Sequence, residues 1–268
     1  MYPWRRGVRE PYHILVCEFM GQQTQASRVA AAFDPWIARF PKIEALAGAT
    51  RAEVLRAWQG LGYNRRAIAL HQTAKMIVAD HGGVVPSDID VLRTFPGVGP
   101  YTAAAVASIA FGLPVVAMDT NIRRVAARVL HGTEPDELAP ARLREDAQAW
   151  LDPCNPGAWN QSVMDVGASL CRPRSPRCSG CPLGDVCLFR ARGLEGRSSV
   201  RSQPAFEGSI RQVRGALVRA LSREGQLTIN ELPDLVCARS ERVAEAVTAL
   251  ERDGLVERTA TGELRLRE

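Results

Sequence analysis

Apolar residues recur at helical spacing along most of the chain, in short stretches that end at glycine or proline. This spacing predicts helices over 52–59, 65–80, 102–111 and 122–130. Ser87 or Asp88 is a candidate N-cap for a further helix, and Asp119 or Thr120 for the helix at 122–130. Between residues 11 and 130, no stretch has the alternating pattern of a β-strand. This part of the chain is therefore predicted to be all-α.

The pattern changes after residue 190. Residues 190–203 are rich in arginine, glycine and serine and poor in apolar side chains, which is typical of a linker. Helical spacing then returns over 210–221, 229–236 and 240–253, followed by two short β-type runs at 255–259 and 263–266. Three helices followed by a hairpin predict a small winged-helix-like domain at 205–268, joined to the rest of the chain through a linker at 191–204.

Composition narrows the class of protein only slightly. The 268 residues are 46% hydrophobic, which is enough for one large or two modest folded cores. Thirty-four basic and 29 acidic residues give a formal charge of +5, which favours a polyanionic partner only weakly. No stretch reaches the roughly 20 apolar residues that span a bilayer, and no apolar segment follows the first residues. We therefore expect a cytoplasmic protein with no membrane partner.

Four of the seven cysteines are concentrated in one short segment. Six residues separate Cys171 from Cys178, two separate Cys178 from Cys181, and five separate Cys181 from Cys187. Four thiolates on one loop are ligands for a 4Fe-4S cluster, and the six-residue gap fits a cluster better than the paired short spacings of a structural zinc site. Structural zinc remains the alternative. Arg172, Arg174 and Arg177 add positive charge that could contact phosphates or could simply be solvated.

The three other cysteines stand apart along the chain. Cys17, Cys154 and Cys237 are each expected to be small buried apolar residues, because a free cysteine is most often found in that role.

A glycine-rich connection joins two of the predicted helices. Phe95-Pro96-Gly97-Val98-Gly99-Pro100-Tyr101 contains glycines that allow tight turning and close approach of the backbone to an anion. Such a hairpin can hold a DNA phosphate without reading sequence, although many similar connections are only turns.

Two acids are candidates for catalysis. Glu18 is the only acid in the apolar run 14–20, and burial there would raise its pKa towards that of a general acid. Asp119 follows the apolar run 113–118. Hydrolysis of a glycosidic bond commonly uses two carboxyl groups in different environments. Residue type alone favours a partly buried structural acid at 18 and an N-cap at 119.

Considered jointly, these features resemble the helix-hairpin-helix base-excision glycosylase superfamily, and within it the adenine DNA glycosylase (MutY) family. The resemblance extends from about residue 3 to residue 188. Its anchors are Tyr2-Pro3-Trp4-Arg5, the segment 18–25, Gly60-Leu61-Gly62-Tyr63, the segment 92–102, Asp119-Thr120-Asn121, Met164-Asp165-Val166-Gly167-Ala168 and the four cysteines.

The resemblance implies the reaction and the roles of the residues. It implies a monofunctional DNA glycosylase, without efficient AP lyase activity, that flips adenine out of a mispair with 8-oxoguanine or guanine and hydrolyses its bond to deoxyribose. Glu18 would protonate the adenine and help to activate water. Asp119 would stabilise the oxocarbenium ion or a transient covalent sugar intermediate, with Asn121 in support. Tyr101 stands where strand-cleaving relatives such as endonuclease III have the Schiff-base lysine.

The resemblance also implies a fold and a DNA-binding surface. The fold is all-α and two-lobed: a helical barrel with the hairpin at 11–116, a cluster lobe formed by 1–10 and 117–190, and then the linker and the winged-helix-like domain. The partner is double-stranded DNA containing a mismatched or damaged base pair, bound by a monomer at the nucleoid. The implied DNA-contacting residues are Gln22, Gln23, Thr24, Tyr63, Asn64, Pro96, Gly97, Val98 and Gly99, of which Gln23 would insert near the target pair.

Three departures from the family pattern keep other functions open. Gly21 replaces the usual leucine, Asn64 replaces a second tyrosine, and the C-terminal segment does not resemble the Nudix-like domain that reads 8-oxoguanine. Asparagine at position 64 resembles endonuclease III and the thymine/guanine mismatch glycosylases, so a thymine or uracil glycosylase acting on T:G or U:G is one alternative. A non-catalytic, redox-sensing iron–sulfur DNA-binding protein is another.

Overall fold

The computed structural model describes residues 2–5, 10–196 and 205–267. Its helices and strands, in chain order, are α1 (Pro11–Gly21), α2 (Ala26–Arg39), α3 (Ile43–Ala47), α4 (Arg51–Ala57), α5 (Arg65–His81), α6 (Ile89–Thr94), α7 (Pro100–Phe111), α8 (Thr120–Ala126), α9 (Pro140–Ala149), α10 (Pro156–Ser169), α11 (Leu188–Ala191), α12 (Ile210–Glu224), β1 (Gln226–Leu227), α13 (Leu232–Val236), α14 (Ser240–Arg252), β2 (Val256–Arg258) and β3 (Leu264–Leu266). The all-α class predicted for most of the chain is confirmed. In the described ranges, no helix has the length and apolar character needed to cross a membrane.

The chain forms two compact units, and the boundary between them falls inside α1. One unit comprises 1–6, 19–85 and 202–268, and the other comprises 7–18 and 86–201. The predicted division into barrel, cluster lobe and winged-helix-like domain stays a prediction. Residues 197–204 of the predicted linker lie outside the described residues.

The first unit has an aromatic core between its early helices. Trp36 of α2 and Trp58 after α4 are fully buried, and their rings meet edge to face at 5.3 Å. Helix α4 begins at a capping box in which the Thr50 hydroxyl accepts from the Glu53 amide and Glu53 accepts from the Thr50 amide. These contacts fix the helices that precede Tyr63 and α5.

The C-terminal part of the first unit has the element order of a winged helix. Val213, Leu217 and Leu221 form the buried stripe of α12, and a three-stranded antiparallel sheet of order β1-β3-β2 follows. In its register, Leu227 pairs with Leu264 and Val256 pairs with Leu266. The Arg56 side chain of α4 donates to the Ser222 carbonyl of α12 at 3.2 Å. The predicted winged-helix-like arrangement is therefore present.

The second unit is built around α7, whose residues 102–109 are all buried. Such burial requires small side chains, because neighbouring helices must approach on several faces. Helices α7 and α8 both pack against α10. After α8, the chain continues as a π-helical turn from Ala127 to His131. This packing positions the start of α7 and the start of α8, where the candidate catalytic residues lie.

Candidate active site

The predicted hairpin lies between α6 and α7. Asp88 is the N-cap of α6 and accepts hydrogen bonds from the amides of Asp90 and Val91. Phe95 and Val98 are buried, and the Val98 amide donates to the Phe95 carbonyl at 3.1 Å. Gly97 has φ +77°, a conformation that favours glycine. The buried apolar pair anchors the turn, while Gly97 and Gly99 are exposed at its surface.

Tyr101, in the first turn of α7, brings the two candidate acids together. Its hydroxyl hydrogen-bonds to the Glu18 side chain and also lies 4.0 Å from the Met164 sulfur. Burial raises the pKa of Tyr101 well above its usual value, and the negative charges of Glu18 and Asp119 raise it further. Both carboxyl groups therefore act on the same phenol, which remains neutral at physiological pH.

Asp119 is held as the N-cap of α8. One of its oxygens accepts from the Ile122 amide at 2.6 Å, and the other accepts from the Asn121 side chain at 2.8 Å. Burial raises the pKa of Asp119, whereas these hydrogen bonds and the charge of Arg124 oppose the rise. The N-cap interpretation is thus correct, but it does not account for the proximity of Tyr101. Asn121, also predicted as a site residue, lies in direct contact with the acid.

The extended segment before Asp119 is fixed by two amide side chains. Asn160 is fully buried; it accepts from the Ala117 amide at 2.8 Å and donates to the Val115 carbonyl at 2.9 Å. Gln148 accepts from the Val116 amide at 3.0 Å. Sequence reasoning missed both residues. The only signal for Asn160 was an asparagine among the mainly small and apolar residues of a helix.

A chain of hydrogen bonds leads from Asp119 to the first cysteine. Asn121, which donates to Asp119, accepts from Arg124 at 2.9 Å, and Arg124 also donates to the Cys171 carbonyl at 2.7 Å and to the Gly167 carbonyl at 2.6 Å. The position of the Asp119 carboxylate is therefore coupled to the start of the cysteine loop. The sequence pattern did not identify Arg124.

The four predicted cysteine ligands line one pocket. Cys171, Cys178, Cys181 and Cys187 share it with apolar side chains that include Val129, Leu170 and Phe189. No group of three or more His, Cys, Asp or Glu side chains in the described part of the chain is arranged to hold a single metal ion. The loop thus places four cysteine residues around a mainly apolar space.

Arg128 holds the same loop from inside the unit. It is 1% exposed, forms an ion pair with Glu134 at 2.7 Å, and lies 3.5 Å from the Cys171 sulfur. Its guanidinium also donates to the Arg172 and Pro173 carbonyls. Burying a cation in this way requires several acceptors, and the loop provides them.

The expectation for the remaining cysteines was wrong for two of the three. Cys17 is buried as expected, whereas Cys154 and Cys237 are exposed. Cys237 lies at the end of α13 with φ +50°, so its backbone terminates a helix and its side chain does not fill a core.

The remaining predicted DNA contacts belong to the first unit. Gln22, Gln23 and Thr24 follow α1, and Tyr63 and Asn64 precede α5. Gln23 (φ +57°) and Tyr63 (φ +48°) have left-handed backbones without being glycine, and Tyr63 is 42% exposed. The structure brings these two segments together through Arg66, which the sequence pattern did not single out.

Comparison with known proteins identifies relatives over almost the whole chain. Residues 16–152 match the family described as HhH-GPD superfamily base excision DNA repair protein. The adenine DNA glycosylase of Mycolicibacterium smegmatis is 43% identical over 273 residues, covering 98% of this chain and 90% of that protein. The human adenine DNA glycosylase is 40% identical over 200 residues, covering 71% of this chain and 37% of the human protein.

Solved structures share the fold over about seven-tenths of the chain. A thermostable thymine-DNA glycosylase superposes with a TM-score of 0.66 at 30% identity, covering 72% of this chain and 89% of that one. A complex of endonuclease III with DNA superposes with a TM-score of 0.61 at 23% identity, covering 70% of this chain and 87% of that one.

Proposed function

The chain belongs to the HhH-GPD base-excision repair superfamily and, within it, to the adenine DNA glycosylases, and on this premise we propose that it hydrolyses adenine from mispairs with 8-oxoguanine or guanine in double-stranded DNA, without cleaving the strand. The single observation that carries the mechanism is the half-buried Tyr101 phenol, which hydrogen-bonds to Glu18 and is also acted on by the charge of Asp119. We also propose that it works as a monomer at the nucleoid.

In the proposed mechanism, Glu18 is the general acid. Release of adenine requires a proton on the departing base, because the neutral base is the better leaving group. Glu18 is half-buried and is oriented by the Tyr101 hydroxyl. The phenol O–H donates to one carboxyl oxygen of Glu18, so it fixes the direction of the carboxyl group and leaves the other oxygen free to carry the proton. After base release, the same group, now ionised, would activate the attacking water.

Asp119 is proposed to stabilise the positive charge that develops on the sugar. Its two oxygens are held by the Ile122 amide and the Asn121 side chain, so the carboxylate is preorganised before the reaction begins. Its raised pKa is the consequence of partial burial. Partial burial also strengthens the attraction between this carboxylate and a nearby cation.

The proposal of a monofunctional enzyme rests on Tyr101. A lyase reaction through a Schiff base needs an amine nucleophile, and a neutral phenol cannot form one. Because burial and two acids hold the pKa of Tyr101 well above its usual value, the phenolate is also unavailable as an oxygen nucleophile.

We further propose that Cys171, Cys178, Cys181 and Cys187 hold a 4Fe-4S cluster. Support comes from the four cysteines that line one apolar pocket and from the two arginines that contact the loop at Cys171. When bound, the cluster would crosslink residues 171–187 and provide a redox centre. We expect about four iron atoms and four sulfides per chain, lost in Cys178→Ser and retained in the exposed control Cys154→Ser. Stoichiometric zinc in the wild-type protein would contradict this proposal.

The catalytic proposal is tested with isosteric substitutions of the two acids. We expect Glu18→Gln and Asp119→Asn each to lower single-turnover adenine release from an A:8-oxoguanine duplex by at least about a thousandfold, since each removes a charge or a proton needed in the transition state. Binding of the duplex, measured by fluorescence anisotropy, should persist. Near-normal turnover by either variant would refute the assigned roles.

A second candidate function is removal of thymine or uracil opposite guanine. Asn64 at the start of α5 and the structural similarity to a thymine-DNA glycosylase favour it. The two functions differ in the base that is released, which chromatography of the reaction products identifies directly.

A further inference from the structure

Arg66 lies in the first turn of α5 and contacts two separate segments of the first unit. One nitrogen, Nη1, donates to the Phe19 carbonyl at 3.0 Å, to the Met20 carbonyl at 2.9 Å and to the Gln22 carbonyl. These carbonyls lie at and just beyond the last turn of α1, where the helix dipole concentrates negative partial charge. The cation therefore caps the end of α1.

The other terminal nitrogen of Arg66 binds the second segment. Nη2 donates to the Leu61 carbonyl at 3.2 Å and to the Gly62 carbonyl at 3.1 Å, and it bridges back to the Thr24 hydroxyl at 2.9 Å. A planar guanidinium with donors on two edges can hold two segments at once, whereas a single ammonium cannot. Arg66 thus bonds to both segments at once, beside a longer contact of 3.5 Å between the Thr24 hydroxyl and the Leu61 carbonyl.

The surroundings of Arg66 show that its hydrogen bonds belong to the folded structure and are not an incidental surface contact. The guanidinium lies 5.4 Å from the ring centroids of both Trp58 and Tyr63. Among the described residues, no carboxylate lies within ion-pair distance of Arg66, so the backbone carbonyls and the aromatic rings balance its charge. Burial lowers the pKa of Arg66 to about 10. The hydrogen bonds to the two segments offset the free-energy cost of desolvating the Arg66 guanidinium.

Both segments carry backbone strain at their exposed ends. Gln23 and Tyr63 have the left-handed conformations that non-glycine residues rarely adopt, and both side chains are exposed. Strained residues persist only where the surroundings fix them, and here Arg66 contacts the residues beside each one. The exposed groups are an aromatic ring and amides, which are the groups that stack on and hydrogen-bond to unpaired bases.

We propose that Arg66 is a positioning residue that preorganises the segments 22–24 and 61–64 as one surface. This surface probes the base pair, so Arg66 determines how well the protein discriminates between lesion-containing and normal DNA. The inference rests on the proposed DNA substrate. Arg66 takes no part in bond cleavage, so its effect falls on recognition and not on the chemical step.

The test uses Arg66→Lys, with Arg39→Lys as the matched control, because Arg39 is exposed and pairs with Glu53 in the same unit. In the DNA-free protein, we expect faster amide hydrogen exchange for Arg66→Lys in peptides covering 19–25 and 60–64. We also expect the preference for an A:8-oxoguanine duplex over an undamaged duplex to fall about tenfold, while the single-turnover rate at saturating DNA changes by less than about threefold.

A second variant tests whether the segments are coupled. Thr24→Val keeps the arginine but removes the hydroxyl that Arg66 contacts and that also lies 3.5 Å from the Leu61 carbonyl, and we expect exchange to increase at 60–64 as well as at 19–25. Unchanged amide hydrogen exchange in both segments would overturn the proposal. An equal acceleration of exchange at 89–111 and 210–266 would also overturn it, because it would show a general loss of stability. If the wild-type protein releases no adenine, the proposed function fails, while the exchange data still decide the positioning role.

Discussion

Individual residues of the site differ in how far the sequence could reveal them. An acid within or after an apolar run made Glu18 and Asp119 candidates, and the family resemblance gave them their roles; the structure places both around Tyr101. Arg66, Arg124 and Asn160 were not found. Their partners are mainly backbone carbonyls and amides from distant segments, and a polar residue in a helix looks the same in sequence whether it is solvated or buried.

The Asn121 side chain is one of the groups that lower the pKa of Asp119 against the effect of burial, and this leads to a prediction for pH dependence. In the proposed mechanism the ionised carboxylate of Asp119 is the active form, so the rate should fall as the pH drops through the pKa of Asp119. Asn121→Ala removes a hydrogen bond that lowers this pKa, so the pKa should rise. We expect the acidic limb of the single-turnover pH–rate profile to move to higher pH.

The control for this experiment is Asn155→Ala, an exposed asparagine before α10 that forms no side-chain cap. Its profile should match that of the wild-type protein. If the acidic limb of Asn121→Ala stays in place, Asn121 does not tune Asp119.

At the scale of helices and strands, the spacing of apolar residues predicted where the elements lie but predicted their ends less accurately. Helices predicted at 65–80 and 102–111 are found at Arg65–His81 and Pro100–Phe111. Proline is tolerated at the first helical position, which explains the earlier start of α7. The strand β1 was missed because its two residues show no pattern of their own and are defined only by pairing with β3. The helix predicted from 229 starts at Leu232 as a result.

The packing of α8 against α10 depends on one glycine. A Cβ atom added at Gly167 would lie 2.5 Å from the Asn121 Cβ and 3.0 Å from its Cα. We expect Gly167→Ala to lower the free energy of unfolding by about 1–3 kcal/mol, because backbone must shift to relieve the overlap. Base release should also slow, since Asn121 supports Asp119. Chemical denaturation and single-turnover kinetics measure the two effects.

Gly215, inside α12, is the matched control for this substitution. An added Cβ there meets only an arginine side chain at 3.6 Å, an ordinary contact. Gly215→Ala should therefore stabilise the protein by about 0.5–1 kcal/mol through helix propensity. Equal effects of the two substitutions would mean that the α8–α10 contact is not tight.

For the whole molecule, motif recognition predicted the family, the mostly helical fold and adenine-directed base excision, and comparison with relatives over 98% of the chain confirms them. The division into domains could not be predicted from the sequence as reliably, because a compact unit is defined by contacts between segments that are distant in sequence. Residues 19–85 share a unit with the C-terminal segment, which no local pattern indicates.

The central claim is that Glu18 and Asp119 release adenine, and a panel of four duplexes differing only in the target pair tests it most directly. Wild-type protein and Glu18→Gln are compared on A:8-oxoguanine, A:G, T:G and U:G under single-turnover conditions, with the released base identified by chromatography. We predict that the wild-type protein releases adenine from the first two duplexes and that Glu18→Gln releases none. The DNA strand should stay intact until it is treated with alkali. Release of only thymine or uracil, or unchanged adenine release by Glu18→Gln, would contradict the account.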